Sequence, residues 1–391
     1  MRALKRLLEF VLLFVVLAAV CASARLWLES DGQGRPVLET AGTVLSVDNG
    51  NILAAGGAGA VGVQMLSVVI VDGEWKGRQV RAINHLNGQL DMDEIYVPGD
   101  HILLAVQAND GCIVDAKAIN MYRQNWELVL FGVFAAALIL FSRFVGVKAL
   151  LSFVGALGVL WCFYIPYLLS GVSPLLLSIG VLVLLSMVII FTVSGITRQG
   201  VSAFLGTVCG LGVTLGLTLF FGSRLHLGGM TTPFSSLLLV QGGYGLNMQH
   251  IFYSAVLLGA SGAAMDIAMD VSVSMGEIKA KRPDIGMREL IASGFNVGRM
   301  VIGTMATTLL LAYSGGYLTM LMVFVSQGTS FSRIANMKLV AAEIFRILIG
   351  SIGLVLVAPV TAVIAGLLLS AGHEVWMSRG WREALARRWP F

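Results

Sequence analysis

The chain has 391 residues, of which 57% are hydrophobic and only 12% charged, and its mean hydropathy is +0.85. Soluble domains carry about 25% charged residues, so this composition excludes an ordinary soluble protein and points to a polytopic membrane protein in a lipid bilayer. The net charge of +4 matters less than its distribution, no nucleic-acid partner is expected, and the four scattered cysteines (Cys21, Cys112, Cys162, Cys209) make neither a disulfide framework nor a zinc site.

In chain order, Arg2, Lys5 and Arg6 precede a first apolar run over residues 7–24. The positive-inside rule puts those charges in the cytoplasm. Ala22-Ser23-Ala24 has the small residues of a cleavage site, so residues 1–24 read as an anchor or a removed signal, and both readings export the segment after them. Residues 25–125 are the one long polar stretch. Alternating and β-branched runs over 42–47, 61–71, 79–83 and 101–106 are separated by Asp-Gly, Asn-Gly and Pro98-Gly99 turn signals. They predict a small extracytoplasmic β-domain, an OB-like barrel or a sandwich, serving as an oligomer-binding module or as a cap or docking surface.

Apolar spans come next at 126–144, 149–169, 175–196 and 201–221, the last with Gly206, Gly210, Gly212 and Gly216 as an expected helix-packing face. Residues 251–275 then run inward to Lys279, Lys281 and Arg282, and 290–313 run outward. The apolar stretch 317–327 is too short to span ~30 Å of hydrocarbon and reads as re-entrant or interfacial. A long helix over 339–369 contains Glu343, Arg346 and Pro359, and Arg379, Arg382, Arg387 and Arg388 mark a basic tail. The expectation is therefore about eight transmembrane helices in a bacterial cytoplasmic (inner) membrane with both termini inside. The expected divisions are 1–24, the exported 25–125, a helical core over 126–370 and a cytoplasmic tail over 371–391.

Asp266 and Asp270 stand out, because no Asp, Glu, Lys or Arg separates them from Arg224. A carboxylate at membrane depth costs ~2.5 kcal/mol or more and usually faces a bundle interior or a wet cavity. Counted from residue 275, Asp270 lies ~7 Å and Asp266 ~14 Å from the cytoplasmic end, and Arg299 lies ~14 Å into the next helix. Asp266 and Arg299 are thus expected at matching depth, with Asn296 near Asp270. Two readings stand: an internal ion pair that fixes register, or a site for a small cation or proton that takes up the surplus carboxylate.

Supporting positions are less specific. Glu343 and Arg346 can pair at i, i+3. Pro359 predicts a kink. Thr304, Thr307 and Thr308 either line a path or bond back to their own helix. Met265, Met269, Met300 and Met305 crowd the aspartates, and a metal ligand set is not specified by them. The motifs of nucleotide hydrolysis, serine hydrolysis and zinc proteolysis are absent from the sequence, so no enzyme activity and no cofactor are expected.

The segments Gly262-Ala-Ala-Met-Asp-Ile-Ala-Met-Asp270, Ser293-Gly-Phe-Asn-Val-Gly-Arg299, Gly303-Thr-Met305 and Leu309-Leu-Leu-Ala-Tyr313 closely resemble the YibE/F family of bacterial membrane proteins. Ala341-Ala-Glu-Ile-Phe-Arg346, Gly350-Ser-Ile-Gly353 and Pro359-Val-Thr-Ala362 extend the same pattern. The resemblance implies a multi-pass permease without an agreed substrate. The chain departs from the pattern at Met300, where the family tends to have Asp, at Asp270, where it tends to have Ser, and at Thr307, where it often has Asn. A carboxylate has in effect moved between neighbouring helices. Two functions follow as expectations: a secondary transporter or channel-like permease that couples a cation or proton, or a non-transporting envelope assembly protein whose β-domain binds a protein partner. A homo-oligomer is compatible with either.

Overall fold

The computed structural model describes residues 37–54, 59–89, 92–109, 112–232, 234–242 and 245–370. The expected N-terminal anchor and the basic tail lie outside the described residues. The chain divides into two compact units between Phe141 and Ser142.

The first unit contains a closed five-stranded barrel. Its strands are β1 (Val37–Ala54), β2 (Ala60–Ile70), β3 (Gln79–Asn87), β4 (His101–Asn109) and β5 (Cys112–Met121), in the order β1-β2-β3-β5-β4. Closure settles the choice between barrel and sandwich. It depends on β1, whose first half pairs with β4 and whose second half pairs with β2, both antiparallel. Register shifts between Val44 and Ser46 and between Asp48 and Asn51 bend this long strand around the barrel, which is what bulges do. A single parallel bridge, Ile83 with Lys117, joins β3 to β5.

Alternation along the strands fills the interior. On β2 the residues Leu66, Val68 and Ile70 point inward, meeting Ile102 and Leu104 of β4 and Ala82 of β3. Two amides share that interior. Gln64 Nε2 donates to Asn49 Oδ1 (2.9 Å) and to the Tyr96 carbonyl (2.8 Å), and Gln64 Oε1 accepts from Tyr96 N–H and from Asn84 Nδ2, each at 3.1 Å. Asn84 Nδ2 also donates to the Glu94 carbonyl at 2.7 Å. These bonds hold the segment around Glu94 and Tyr96 against the barrel, where Tyr96 is fully buried. Burial, aided by the charge of Glu94, pushes the Tyr96 hydroxyl up to about 12.

The helix α1 (Gln124–Val159) contains one residue outside helical geometry, Arg143, at φ 49° and ψ −123°. The spans expected at 126–144 and 149–169 therefore meet at a backbone break instead of a loop. A left-handed non-glycine residue costs ~1–3 kcal/mol unless its surroundings fix it. From α1 the chain passes through a π-helical turn (Leu160–Tyr164) into the short α2 (Ile165–Leu169).

The helical unit is built on α3 (Pro174–Ser194), α4 (Arg198–Arg224), α6 (Met248–Lys281), α7 (Met287–Gly316) and α10 (Lys338–Ser370), with a short α5 (Ser235–Gly242) before α6. Local signals set the ends. Thr197 caps α4 by accepting from Gly200 N–H at 3.0 Å, and Asn247 caps α6 by accepting from His250 N–H at 3.0 Å. Lys279 and Lys281 occupy the last turn of α6, where cations favour the helix dipole.

Helix directions follow from close contacts. Gly206 of α4 packs on Thr361 of α10, Gly210 on Val357, and Gly353 of α10 on Thr214, so α4 and α10 run antiparallel. A side chain at any of these glycines would collide with its neighbour, which is the small-residue device of membrane helix pairs. Only half of the expected glycine face is used this way, because Gly212 and Gly216 turn away and meet nothing within 4 Å. Gly298 of α7 lies against Val271 of α6 and Ala358 of α10, and Gly294 against Met275 and Ala362. Hence α7 is antiparallel to both α6 and α10. Val271, Met275, Ile267, Val357 and Ala362 lie at the centre of the core these helices enclose.

Between α7 and α10 lie two short helices, α8 (Leu318–Ser326) and α9 (Phe331–Asn336). Since α7 and α10 are antiparallel neighbours, this segment starts and finishes at one end of the unit. Among the described residues, six stretches are long and apolar enough to cross a membrane, the first of them Gln124–Leu169 with the Arg143 break inside it. The molecule is a helical membrane protein with a β-barrel domain.

Candidate functional site

Helix α6 buries Ala264, Ile267, Ala268, Val271 and Met275 on one side. The opposite stripe, at i, i+4 and i+3 spacing, carries Gly262, Asp266, Asp270 and Val273, all exposed on the helical unit. Asp270 is near enough to Asp266 to repel it. On α7 only Leu290, Gly294, Gly298 and Leu309 are buried. Its open side carries Asn296, Arg299, Met300, Gly303, Thr304, Thr307 and Thr308.

The four predicted residues are thus each exposed on the helical unit, and they do not gather in an interior pocket. Arg299 Nη1 donates to Asn296 Oδ1 at 3.4 Å, a long bond. Among the described residues no ion pair links Asp266 or Asp270 to Arg299. The levels also differ from the depth count. With Gly298 beside Val271 and Gly294 beside Met275, Asp270 is level with Arg299, and Asp266 is level with Gly303, about one turn away. Positions 270 and 300 are therefore neighbours in height on adjacent helices. The threonine hydroxyls bond back to their own helix: Thr304 donates to the Val301 carbonyl (3.0 Å), and Thr307 and Thr308 to the Thr304 carbonyl (2.8 and 3.0 Å).

The buried charge is elsewhere. Glu343, 7% exposed, pairs through Oε2 with Arg346 Nη1 at 3.5 Å, one turn along α10. The guanidinium lies over the Phe252 ring, 5.8 Å from its centroid, and Tyr317 is within reach of both charges. Glu343 Oε1 and Arg346 Nε are buried without a hydrogen-bond partner among the described residues. Sequence spacing identified the pair but not its surroundings. Phe252 and Tyr253 come from α6, the first stacked on Phe345 and the second tilted against it, and Tyr317 comes from the turn after Gly315-Gly316. No local pattern announces contacts between residues so far apart in the chain. Pro359 lies between Val357 and Thr361, the two residues that seat Gly210 and Gly206, and α10 continues on both sides of it.

Among the described residues no three His, Cys, Asp or Glu side chains converge on a metal position. The barrel offers a cleft of about 420 Å³ lined by Glu39, Asp72, Glu74, Trp75 and Tyr122, among others.

Chemically, the helical unit presents on one face carboxylates that have no counter-ion among the described residues, and inside it an incompletely satisfied ion pair. The first can take a cation or proton, and the second can change its protonation only by disturbing a packed aromatic shell. No curated protein and no solved structure matches the chain. The family model described as YibE/F-like protein matches residues 130–371, which cover the helices that hold every one of these charged groups and more than half of the sequence, so the chain belongs to the YibE/F-like family.

Proposed function

We propose that the protein is a secondary transporter or channel-like permease of the bacterial cytoplasmic membrane, in which Asp266, Asp270, Asn296 and Arg299 bind or couple a small cation or a proton. One observation carries this reading: two carboxylates stand a turn apart on the open stripe of a membrane-length helix, with no counter-ion among the described residues. Intramembrane carboxylates are retained where they serve ion or proton movement. Thr304 and Thr307 continue the polar stripe, while Glu343, Arg346 and Pro359 act from within the bundle. The reading uses eight spans, with the barrel outside, both termini in the cytoplasm and segment 317–327 returning to the side it left. It assigns no catalytic step and no cofactor.

Reconstituted in liposomes, the protein is expected to pass protons or a small mono- or divalent cation, and Asp270→Asn is expected to abolish that flux. Full flux in an Asp266→Asn/Asp270→Asn double variant would overturn the assignment.

The barrel cleft favours a second reading, an envelope assembly protein whose acidic and aromatic groove engages a protein partner. A protein that moves no ion, and in which Trp75→Ala alone reproduces the phenotype of deleting the chain, would select this reading.

A further inference from the structure

The barrel is covered, at the end from which α1 departs, by the segment 92–100. Tyr96 of this segment joins the interior with Leu66, Ile102 and Leu104, whereas Ile95 and Val97 on either side of it are 53% and 55% exposed, and Met92 is 50% exposed. Both flanks of the segment touch the start of the helix. Glu94 accepts from Met121 N–H at 2.9 Å and pairs with Arg123, while Gly99 and Asp100 line one hollow with Trp126 and Leu130. All of these residues lie in the first compact unit, 29–141. Carboxylates of the segment are engaged within it: Asp93 accepts from the N–H groups of Asn87 and Gln89, and Asp100 from that of Val97. Met92, Ile95 and Val97 form an apolar rim beside the helix entry.

We infer that this end of the barrel is a lipid-binding surface, seated on the bilayer with Met92, Ile95 and Val97 inserted at the level of the headgroups and upper acyl chains. Continuity with the membrane helix carries the inference. Helix α1 begins three residues after β5 ends and opens a membrane-length stretch, none of whose most apolar part is buried among the described residues, so lipid surrounds it. Its first turns expose Trp126, Leu128 and Leu130, and a tryptophan at a helix entry marks the headgroup level. Glu94 and Gly99 bracket Ile95 and Val97 and both lie against this entry, which brings the apolar rim to the same level. Apolar side chains gain by leaving water there. The far end of the barrel makes no such contact. Val114, 70% exposed, lies seven residues before Met121 on β5, ~23 Å back along the strand. The inference goes beyond the permease reading and does not depend on it, because depth in the bilayer and flux are measured separately.

Spin labels test it in the full chain, reconstituted in liposomes with the four native cysteines replaced by serine. Labels are placed one at a time through Ile95→Cys, Val97→Cys, Val114→Cys and Leu130→Cys. Oxygen, which partitions into lipid, is expected to relax the labels at 95, 97 and 130 more than a water-soluble nickel chelate does. At 114 the order reverses. Relaxation dominated by nickel at 95 and 97 would overturn the inference. Protection from both reagents would overturn it as well, because protein would then cover the segment. A second measurement separates insertion from mere nearness. With the label at Met92→Cys, the double variant Ile95→Asp/Val97→Asp is expected to shift from oxygen-dominated to nickel-dominated relaxation. Both aspartates replace exposed side chains and leave Tyr96 in place, and an unchanged spectrum from the label at 114 shows that the barrel remains folded. A label at 92 that stays in lipid in the double variant counts against insertion.

Discussion

Glu343 and Arg346 show how a pair of residues is constrained by its neighbours more than by its own attraction. With Phe252 beneath the guanidinium and one oxygen and one nitrogen unsatisfied, neither charge can be left alone. Removing one member of a buried pair costs ~3–5 kcal/mol, because the survivor stays buried and uncompensated. Glu343→Gln is therefore expected to lower the melting temperature of the detergent-solubilised protein, as is Arg346→Met. The double variant should lose less than either single one, and thermal melts of the four proteins form the cycle that checks it. In the barrel, Glu94 gives a case with opposite logic. Burial raises its carboxyl, but the Arg123 hydrogen bond, the Met121 N–H at 2.9 Å and the Arg123 charge outweigh it, so it titrates below the ordinary carboxylate range. Its stabilisation is complete above the unfolded carboxylate value and is lost as the pH falls through the depressed folded one. A barrel expressed over residues 25–123 should fold alone, give a strand-type circular dichroism spectrum, and melt at lower temperature as the pH drops through that range. Glu94→Gln should weaken that acid dependence.

At the scale of elements, the contact between α4 and α10 is the most demanding. Its glycines accept Thr361 and Val357 into the space a side chain would fill. Gly210→Val is expected to force the helices apart at a cost of ~1–3 kcal/mol or more, the usual range for overpacking. Gly216→Ala, on the open side of the same helix, should leave stability unchanged or raise it by ~0.5–1 kcal/mol, since glycine is a poor helix former. Melting temperatures of the two variants separate packing from propensity. The same helix explains what was legible in sequence. The spacing of glycines announced a packing helix, but four-residue and two-residue intervals mix two faces, and only contact with α10 shows which face is used. The depth of the aspartates slipped for a related reason. Hydropathy falls after residue 275, whereas α6 runs on through Lys281 and α7 begins at Met287, so heights counted from the apolar edge are off by about a turn.

For the whole molecule, strand runs broken by Asp-Gly and Asn-Gly were enough to expect a small β-domain, because alternation and turn chemistry are local. Barrel closure was not legible, since it depends on bulges within β1 and on one parallel bridge between strands far apart in sequence. The same division holds for the charged groups: hydropathy exposed Asp266, Asp270 and Arg299, while Tyr317 and Phe252 gather around Glu343 only through packing. The antiparallel placement of α7 and α10 has one more consequence, and it concerns parity. Because α8 and α9 return to the end they left, the segment holding them adds no crossing. If residues 144–169, α3, α4, α6, α7 and α10 each cross once, as the eight-span proposal has it, the passes from Phe144 onward are even in number. On that proposal the chain leaves the helical unit on the side where it entered. A cysteine at Lys148 and a tag placed after Ser370 should answer to a membrane-impermeant reagent in the same compartment, and opposite answers would mean that α8 and α9 carry the chain across.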